Sequence, residues 1–453
     1  MLESTKTLSL EKLASELLSV AKENGAEFAD VLVASGFSSS VSVRDGTLEL
    51  SERSEGLDLG LRVFLGKRQA IVSGSDIRAD TISKMVERAV AMAKEAPEDP
   101  YCGVASPEEF ATAWEITDYD LCDPSDEPSA ETLKTDALAV ENAAMEYGGI
   151  KQVSDASASY SKSDIFLATS TGFSGGYAKT SRGLSCVAIA GTELGMERDY
   201  DYDSRVYGVD LRSADDIGSV AAERALARLE PRKPETGSFP VIFDQRVAAS
   251  LIGHLLAASN GASVARGSSW LRDKLKEQVL PTDMSLLEEP MRPRIGASRP
   301  FDAEGLPKRN RVIVKDGILQ GWTLDLSSAR KLGVKSTGNA VRSPSSLPSP
   351  QVGNVTLSGG SKSRDELVVE MGSGLLVTSM IGSTVNPNTG DYSRGAAGHW
   401  VENGQISYPV SECTIAGNLN DMLLSLVAAN DARAYVSWRV PSLLVEGMKI
   451  AGK

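Results

Sequence analysis

A chain of 453 residues with 41% hydrophobic and 24% charged residues has the composition of a globular protein of two or three domains, which excludes wholesale disorder. Acidic residues outnumber basic ones, 61 to 47, for a net charge of −14, and no run of Lys and Arg exceeds two or three; this argues against nucleic-acid binding and against electrostatic docking on an anionic membrane. Cys102, Cys122, Cys186 and Cys413 form no CxxC pair, the N-terminus lacks a basic region followed by an apolar one, and no stretch approaches the ~20 apolar residues of a membrane span, so reduced thiols and a cytoplasmic location are expected.

Leu10, Leu13, Ala14, Leu17, Val20 and Ala21 recur at helical spacing, with Ser9 as N-cap and Gly25 beyond the end. A short strand at Val31–Val33 follows. Val41 and Val43 alternate with polar residues up to Asp45-Gly46, where Leu48 and Leu50 resume the alternation as a hairpin. Residues 57–65 alternate strictly and turn at Gly66-Lys67-Arg68 into a partner strand. Helices are predicted over about 82–93, 129–145 and 214–229, with half-buried strands at 153–161, 165–171 and 184–190 between the last two. The run Glu197-Arg-Asp-Tyr-Asp-Tyr-Asp203 lacks the turn glycine of a calcium loop and reads as a strand with a solvated acidic face.

The proline-bearing stretch Glu230–Gly237 is the best linker candidate. Beyond it come a strand at Val241–Phe243 and an almost wholly apolar helix from Arg246 to Ala258. Short strands then dominate, at 312–314, 317–321, 352–357, 367–370, 375–378 and 405–410. The predicted fold is α+β in two domains. Residues 1–235 form a mixed α/β unit with antiparallel hairpins and helices, and residues 236–453 form a β-rich unit with few helices.

Chemistry has few places to sit. The chain holds only two histidines, His254 and His399, and no HExxH, G-x-S-x-G or Walker-type loop. His254 sits in the apolar helix with no acid or second ligand at helical spacing, so a core histidine satisfied by a backbone carbonyl is the economical reading. His399, before Trp400, fits a cleft wall or an edge-strand surface equally well. Cys413 reads as a small buried thiol, since only two histidines could activate it. His254, His399 and Cys413 have the ligand types of a composite metal site, whose convergence sequence does not show. Asp45-Gly46 and Asn388-Thr-Gly390 are turn chemistry.

Several long stretches together resemble one family: Val43-Arg-Asp-Gly-Thr-Leu-Glu, Gly60-Leu-Arg-Val-Phe-Leu-Gly, Trp322-Thr-Leu-Asp-Leu-Ser-Ser-Ala-Arg-Lys-Leu-Gly, Ser336-Thr-Gly-Asn-Ala, Asn386-Pro-Asn-Thr-Gly-Asp-Tyr-Ser-Arg-Gly, and Glu402-Asn-Gly with Tyr408-Pro-Val and Thr414-Ile-Ala-Gly-Asn-Leu. They are similar to the TldD/PmbA family, more specifically its PmbA branch, also called TldE. The resemblance spans nearly the whole chain. It implies a TldD–TldE heterodimer that cleaves unfolded or partly degraded peptides as a zinc metalloprotease, with family links to peptide-antibiotic maturation, antitoxin turnover and modulation of DNA gyrase.

In that family the zinc belongs to the TldD subunit, on a helical HExxxH motif with a late Cys. Laid on this chain, the motif falls on Ala249-Ser-Leu-Ile-Gly-His254. Ala249 stands for the first histidine and Ser250 for the glutamate; only His254 is kept, and no Cys follows Cys413. The expectation is therefore no metal or other cofactor in this chain and zinc in a TldD-like partner; the sequence leaves open a homodimer when that partner is absent. Peptides would pair with sheet edges of the β-rich half. The channel candidates are Asn386, Thr389, Gly390, Arg394, His399 and Trp400. The rival readings are a self-sufficient hydrolase using another site and a non-catalytic peptide-binding scaffold.

Overall fold

The structure, a computed structural model, describes residues 9–112 and 116–452; the first eight residues of the N-terminus read above lie outside them. The first half is built on one antiparallel sheet. Its strands are β1 (Phe28–Arg44), β2 (Thr47–Leu65), β3 (Arg68–Gly74), β4 (Ile150–Thr169), β5 (Ser174–Ala190) and β6 (Glu197–Arg205), ordered β3-β2-β1-β4-β5-β6. Asp45 and Gly46 turn β1 into β2 with φ of 52° and 70°, the left-handed backbone that a two-residue hairpin turn requires. The strands are longer than alternation suggested. Residues 153–161 and 165–169 belong to one strand, because Lys162, Ser163 and Asp164 stay in register opposite Thr180, Lys179 and Ala178.

Four helices, α1 (Leu10–Glu23), α2 (Ala79–Glu95), α3 (Ala130–Met145) and α4 (Ala214–Leu226), cover one face of this sheet. Ser9, Ser129 and Ser213 cap α1, α3 and α4 by accepting the backbone N–H groups of Lys12, Thr132 and Asp216. Leu13, Leu17 and Val86 pack on Val31, Val33, Leu61 and Val63, while Leu133, Val140 and Ile217 pack on Val43, Ala156, Ala158 and Cys186. Strand alternation then sends Ser38, Ser40, Ser159, Ser161, Ser163 and Ser181 to the opposite face.

The acidic run on β6 is inverted relative to the expectation. Asp199, Asp201 and Asp203 are 5%, 4% and 4% exposed, whereas Tyr200 and Tyr202 are 46% and 52% exposed. The aspartates turn inward because arginines meet them there: Arg246 and Arg228 at Asp199, Arg212 and Arg224 at Asp201, Arg205 at Asp203. Burial of a carboxylate is tolerable only with such pairing.

The second half centres on β7 (Gly237–Phe243), β8 (Gly374–Val385), β9 (Asp391–Glu402), β10 (Gln405–Asn418) and β11 (Leu443–Ala451). They are ordered β10-β9-β8-β7-β11, and β10 also pairs with β11 at Thr414–Ala416, which closes the sheet into a barrel. Helix α5 (Gln245–Ala258) shares a single core with the barrel and with a smaller sheet that includes Leu286–Glu288, Arg311–Lys315 and Val355–Leu357. Residues 367–370, expected as a strand, lie in the helix Arg364–Met371. The Ser363–Glu366 capping box starts it, and Leu367, Val368 and Met371 form its buried side.

Closure also corrects the expectation about sheet edges, since a barrel has few to offer. Among the described residues the long unpaired edges belong to the first sheet: residues 47–58 of β2, beyond the reach of β3, and the outer side of β6. The two halves are bound by buried polar contacts. Asp30 pairs with both Arg62 and Arg342, and the Arg330 guanidinium donates to the carbonyls of Tyr101, Gly103 and Val104 at 3.2, 3.0 and 2.8 Å.

Candidate functional site

Helix α5 begins where Asp244, at the end of β7, accepts the N–H of Arg246 at 3.0 Å. Its buried stripe of Ala248, Leu251, Ile252 and Leu255 fixes the direction in which the motif positions point. Ser250 turns its hydroxyl back on its own helix, donating to the Val247 carbonyl at 2.7 Å. The His254 ring stands edge-on to Tyr392 with centroids 5.7 Å apart. Its Nε2 is buried and has no hydrogen-bond partner among the described residues, so the expected backbone carbonyl is not there. Burial, and then the charge of Arg394, hold its pKa below the ordinary histidine value, which keeps it neutral.

Cys413 lies on β10 opposite Ala396, and its thiol donates to the Ala396 carbonyl at 3.2 Å. Burial pushes this thiol up to about 11, so it stays protonated. His399 is on β9, an inner strand and not an edge. Ala396 and Cys413 face the core shared with α5, whereas His399, three positions along, sits opposite Leu376 on the other side of the sheet. Its Nε2 is 3.2 Å from the Ala227 carbonyl, and its Nδ1 is buried without a partner among the described residues. The structure therefore does not bring His254, His399 and Cys413 together. Among the described residues no group of three or more His, Cys, Asp or Glu could hold a metal ion. The donor set does not fit zinc: a methyl at Ala249, an engaged hydroxyl at Ser250 and one imidazole remain.

The channel candidates divide into separate places. Asn386, Thr389 and Gly390 form the β8–β9 turn, in which Gly390 N–H donates to Asn386 O and Asn418 holds Thr389 O and the Asp391 carboxylate. Arg394 donates to Gly382 O across the hairpin at 2.7 Å. Trp400 is 5% exposed, its ring 5.0 Å from Phe239. His399 lines a cleft of about 190 Å³ between the two halves, together with Asp199, Asp244, Arg246 and Arg364. In that cleft Arg246 bonds Asp199 at 2.6 Å and Arg364 bonds Asp244 at 3.1 Å. Burial raises the pKa of Asp199, but Arg246, the Tyr200 N–H and Arg228 outweigh it and leave the group below the usual carboxylate range.

Sequence reasoning missed a second constellation. A cleft of about 360 Å³ between the halves is lined by Arg62, Tyr101, Glu304, Asp325, Ser328 and Lys331. Burial lifts Glu304 to about 8 against the pull of Arg62, with Asp302 and Asp325 adding to the rise; one of its oxygens accepts the Leu326 N–H at 2.9 Å. A carboxyl that keeps its proton near neutral pH has the property wanted of a general acid. The only sequence signal was its neighbourhood, since Asp325 and Ser328 belong to the Trp322–Gly333 stretch.

Models described as PmbA/TldA metallopeptidase match residues 29–93 (domain 1), 123–229 (central domain) and 236–452 (C-terminal domain). A protein of Escherichia coli O157:H7 named Metalloprotease PmbA is 39% identical over 447 residues, covering 98% of this chain and 96% of its own. The crystal structure of a Bacteroides thetaiotaomicron protein, described as a candidate modulator of DNA gyrase, superposes with a TM-score of 0.90 at 28% identity, over 98% of this chain and 99% of that one. TldE from Thermococcus kodakarensis shares the fold, with a TM-score of 0.85 at 20% identity, over 97% of this chain and 100% of its own.

Proposed function

The chain belongs to the PmbA/TldD metallopeptidase family, and from that membership we propose that it is the non-metal subunit of a two-chain peptidase whose zinc sits in a TldD-like partner. The observation that carries this reading is the α5 motif, where Ala249 and Ser250 replace the first histidine and the glutamate and leave His254 without a co-ligand among the described residues. A metallopeptidase needs three protein ligands and a base to activate water. A chain that keeps the fold and lacks those groups can still bind, orient and enclose an extended peptide. The partner supplies the metal chemistry; this chain holds none of its steps. The working location is the cytoplasm.

Glu304 favours one second reading, a self-sufficient hydrolase in which this carboxyl is the acid. A peptidase assay on unfolded polypeptide separates the two. The reading predicts no cleavage by the pure chain, and cleavage when it is mixed with a family member carrying an intact HExxxH. Cleavage by the chain alone that disappears in Glu304→Gln would establish the second reading instead.

A further inference from the structure

The sheet face that the helices leave uncovered runs into an unusual cleft. Along β4 and β5 the rungs Ser161–Ser181, Ser163–Lys179 and Ile165–Tyr177 follow one another, with Ser38, Gly36 and Ala34 of β1 alongside. At the Ile165–Tyr177 end this face meets the second half. There the two enclose about 220 Å³, walled by Leu32, Ile165, Leu167, Tyr177, Phe301 and Pro344. Phe301 is held in place by edge-on contacts with Phe173 at 4.9 Å and Tyr177 at 5.5 Å, so the wall is rigid and apolar.

Two guanidiniums line this wall, and one of them, Arg342, is paired with Asp30. Arg299 is half-buried, its Nε is buried without a hydrogen-bond partner, and among the described residues no carboxylate pairs with it. The charged groups around it do not neutralise it. Lys179 and Lys308 are cations that it disfavours further; Lys179 donates to Gly296 O and Ser298 O at 3.0 and 2.7 Å, and Lys308 is occupied by Glu288 and Gly338 O. The one acid at the cleft, Asp302, turns its oxygens to the N–H groups of Glu304, Leu306 and Ala340. A guanidinium with no counter-anion in an apolar cleft is costly unless a ligand completes it. The complement is a molecule that carries a carboxylate on an apolar body.

We propose that this cleft takes the C-terminal residue of a peptide, with an apolar side chain among Leu167, Tyr177 and Phe301 and the α-carboxylate on Arg299. The floor next to it is small along Ser38, Gly36, Ser161 and Ser163, and the one long side chain on it, Lys179, is tied to the Gly296 and Ser298 carbonyls. The word peptide rests on the functional reading above; the apolar carboxylate rests on the cleft alone.

The test is the binding of N-terminally fluorescein-labelled octapeptides to the purified full chain, read by anisotropy. The peptides end in Leu with a free acid, Leu with an amide, or Asp with a free acid. Loss of one charge-assisted bond predicts that the amide binds about tenfold or more weakly than the acid, and the Asp-ended peptide is weakened as well. Arg299→Gln should bind acid and amide equally with an unchanged melting temperature, Arg299→Lys should restore part of the preference, and Ala34→Phe, which fills the cleft, should weaken all Leu-ended peptides. Equal binding of acid and amide by the unaltered chain, a preference that survives in Arg299→Gln, or no binding of either peptide would overturn the proposal. If peptide cleavage by the mixture with the HExxxH-bearing partner persists in that event, the functional reading stands; its own failure is the absence of that cleavage.

Discussion

Asp199 on β6 and Arg246 in the first turn of α5 form a buried ion pair of 2.6 Å that ties the first sheet to the helix carrying the motif positions. Arg228 reaches the same carboxylate at 3.4 Å, and His399 lies in the same cleft. The position of α5 is thus set from outside its own domain as well as by its buried stripe.

Removing one partner of that pair leaves a buried charge behind. Arg246→Ala is expected to cost about 3 kcal/mol in denaturant unfolding, the low end for a buried pair because Arg228 remains. Asp199→Asn should cost less, since the arginine side chains can reach water. A loss under about 0.5 kcal/mol in Arg246→Ala would mean that the pair does not anchor the helix.

His254 is expected to be chemically silent here. His254→Phe keeps a ring against Tyr392 and removes the unpartnered Nε2, so stability should hold or rise by up to about 1 kcal/mol, and peptide cleavage by the pair should be unchanged. A large drop in turnover with intact folding would show that this imidazole takes part in the reaction.

Glu304 gives the folded state a pH dependence of definite sign. Its folded pKa of about 8 lies above its ordinary value of 4.5, so the folded state holds a proton that the unfolded chain has released. The stabilisation is therefore full below about 4.5 and is lost as pH rises through about 8. In Glu304→Gln the decline of stability between those values should flatten, as measured by chemical denaturation at a series of pH values. An identical slope in the variant would place the proton elsewhere.

Much of this was legible in the residues. The Ser9, Ser129 and Ser213 caps and the apolar periodicity mark the helices, and Asp45-Gly46 marks the hairpin, because these signals act within a few residues. The vacancies at Ala249 and Ser250 are visible in the sequence itself. What escaped depends on distant partners. The inward turn of Asp199, Asp201 and Asp203 follows from arginines up to 47 positions away, and barrel closure rests on Thr414–Ala416 meeting Lys449–Ala451. The raised pKa of Glu304 arises only once Arg62, Asp302 and Asp325 are folded around it. The helix at Arg364–Met371 has a local signal too, the Ser363–Glu366 capping box, which outweighs the strand-like apolar run at 367–370.

The proposed division of labour between this chain and a zinc-bearing partner turns on where the zinc is held. Its most direct test is the zinc content of the purified chain and of its complex with an HExxxH-bearing family member, each dialysed against trace zinc. No stoichiometric zinc is expected in the chain alone, and one ion per complex. One equivalent of tightly held zinc in the chain alone would contradict that division of labour.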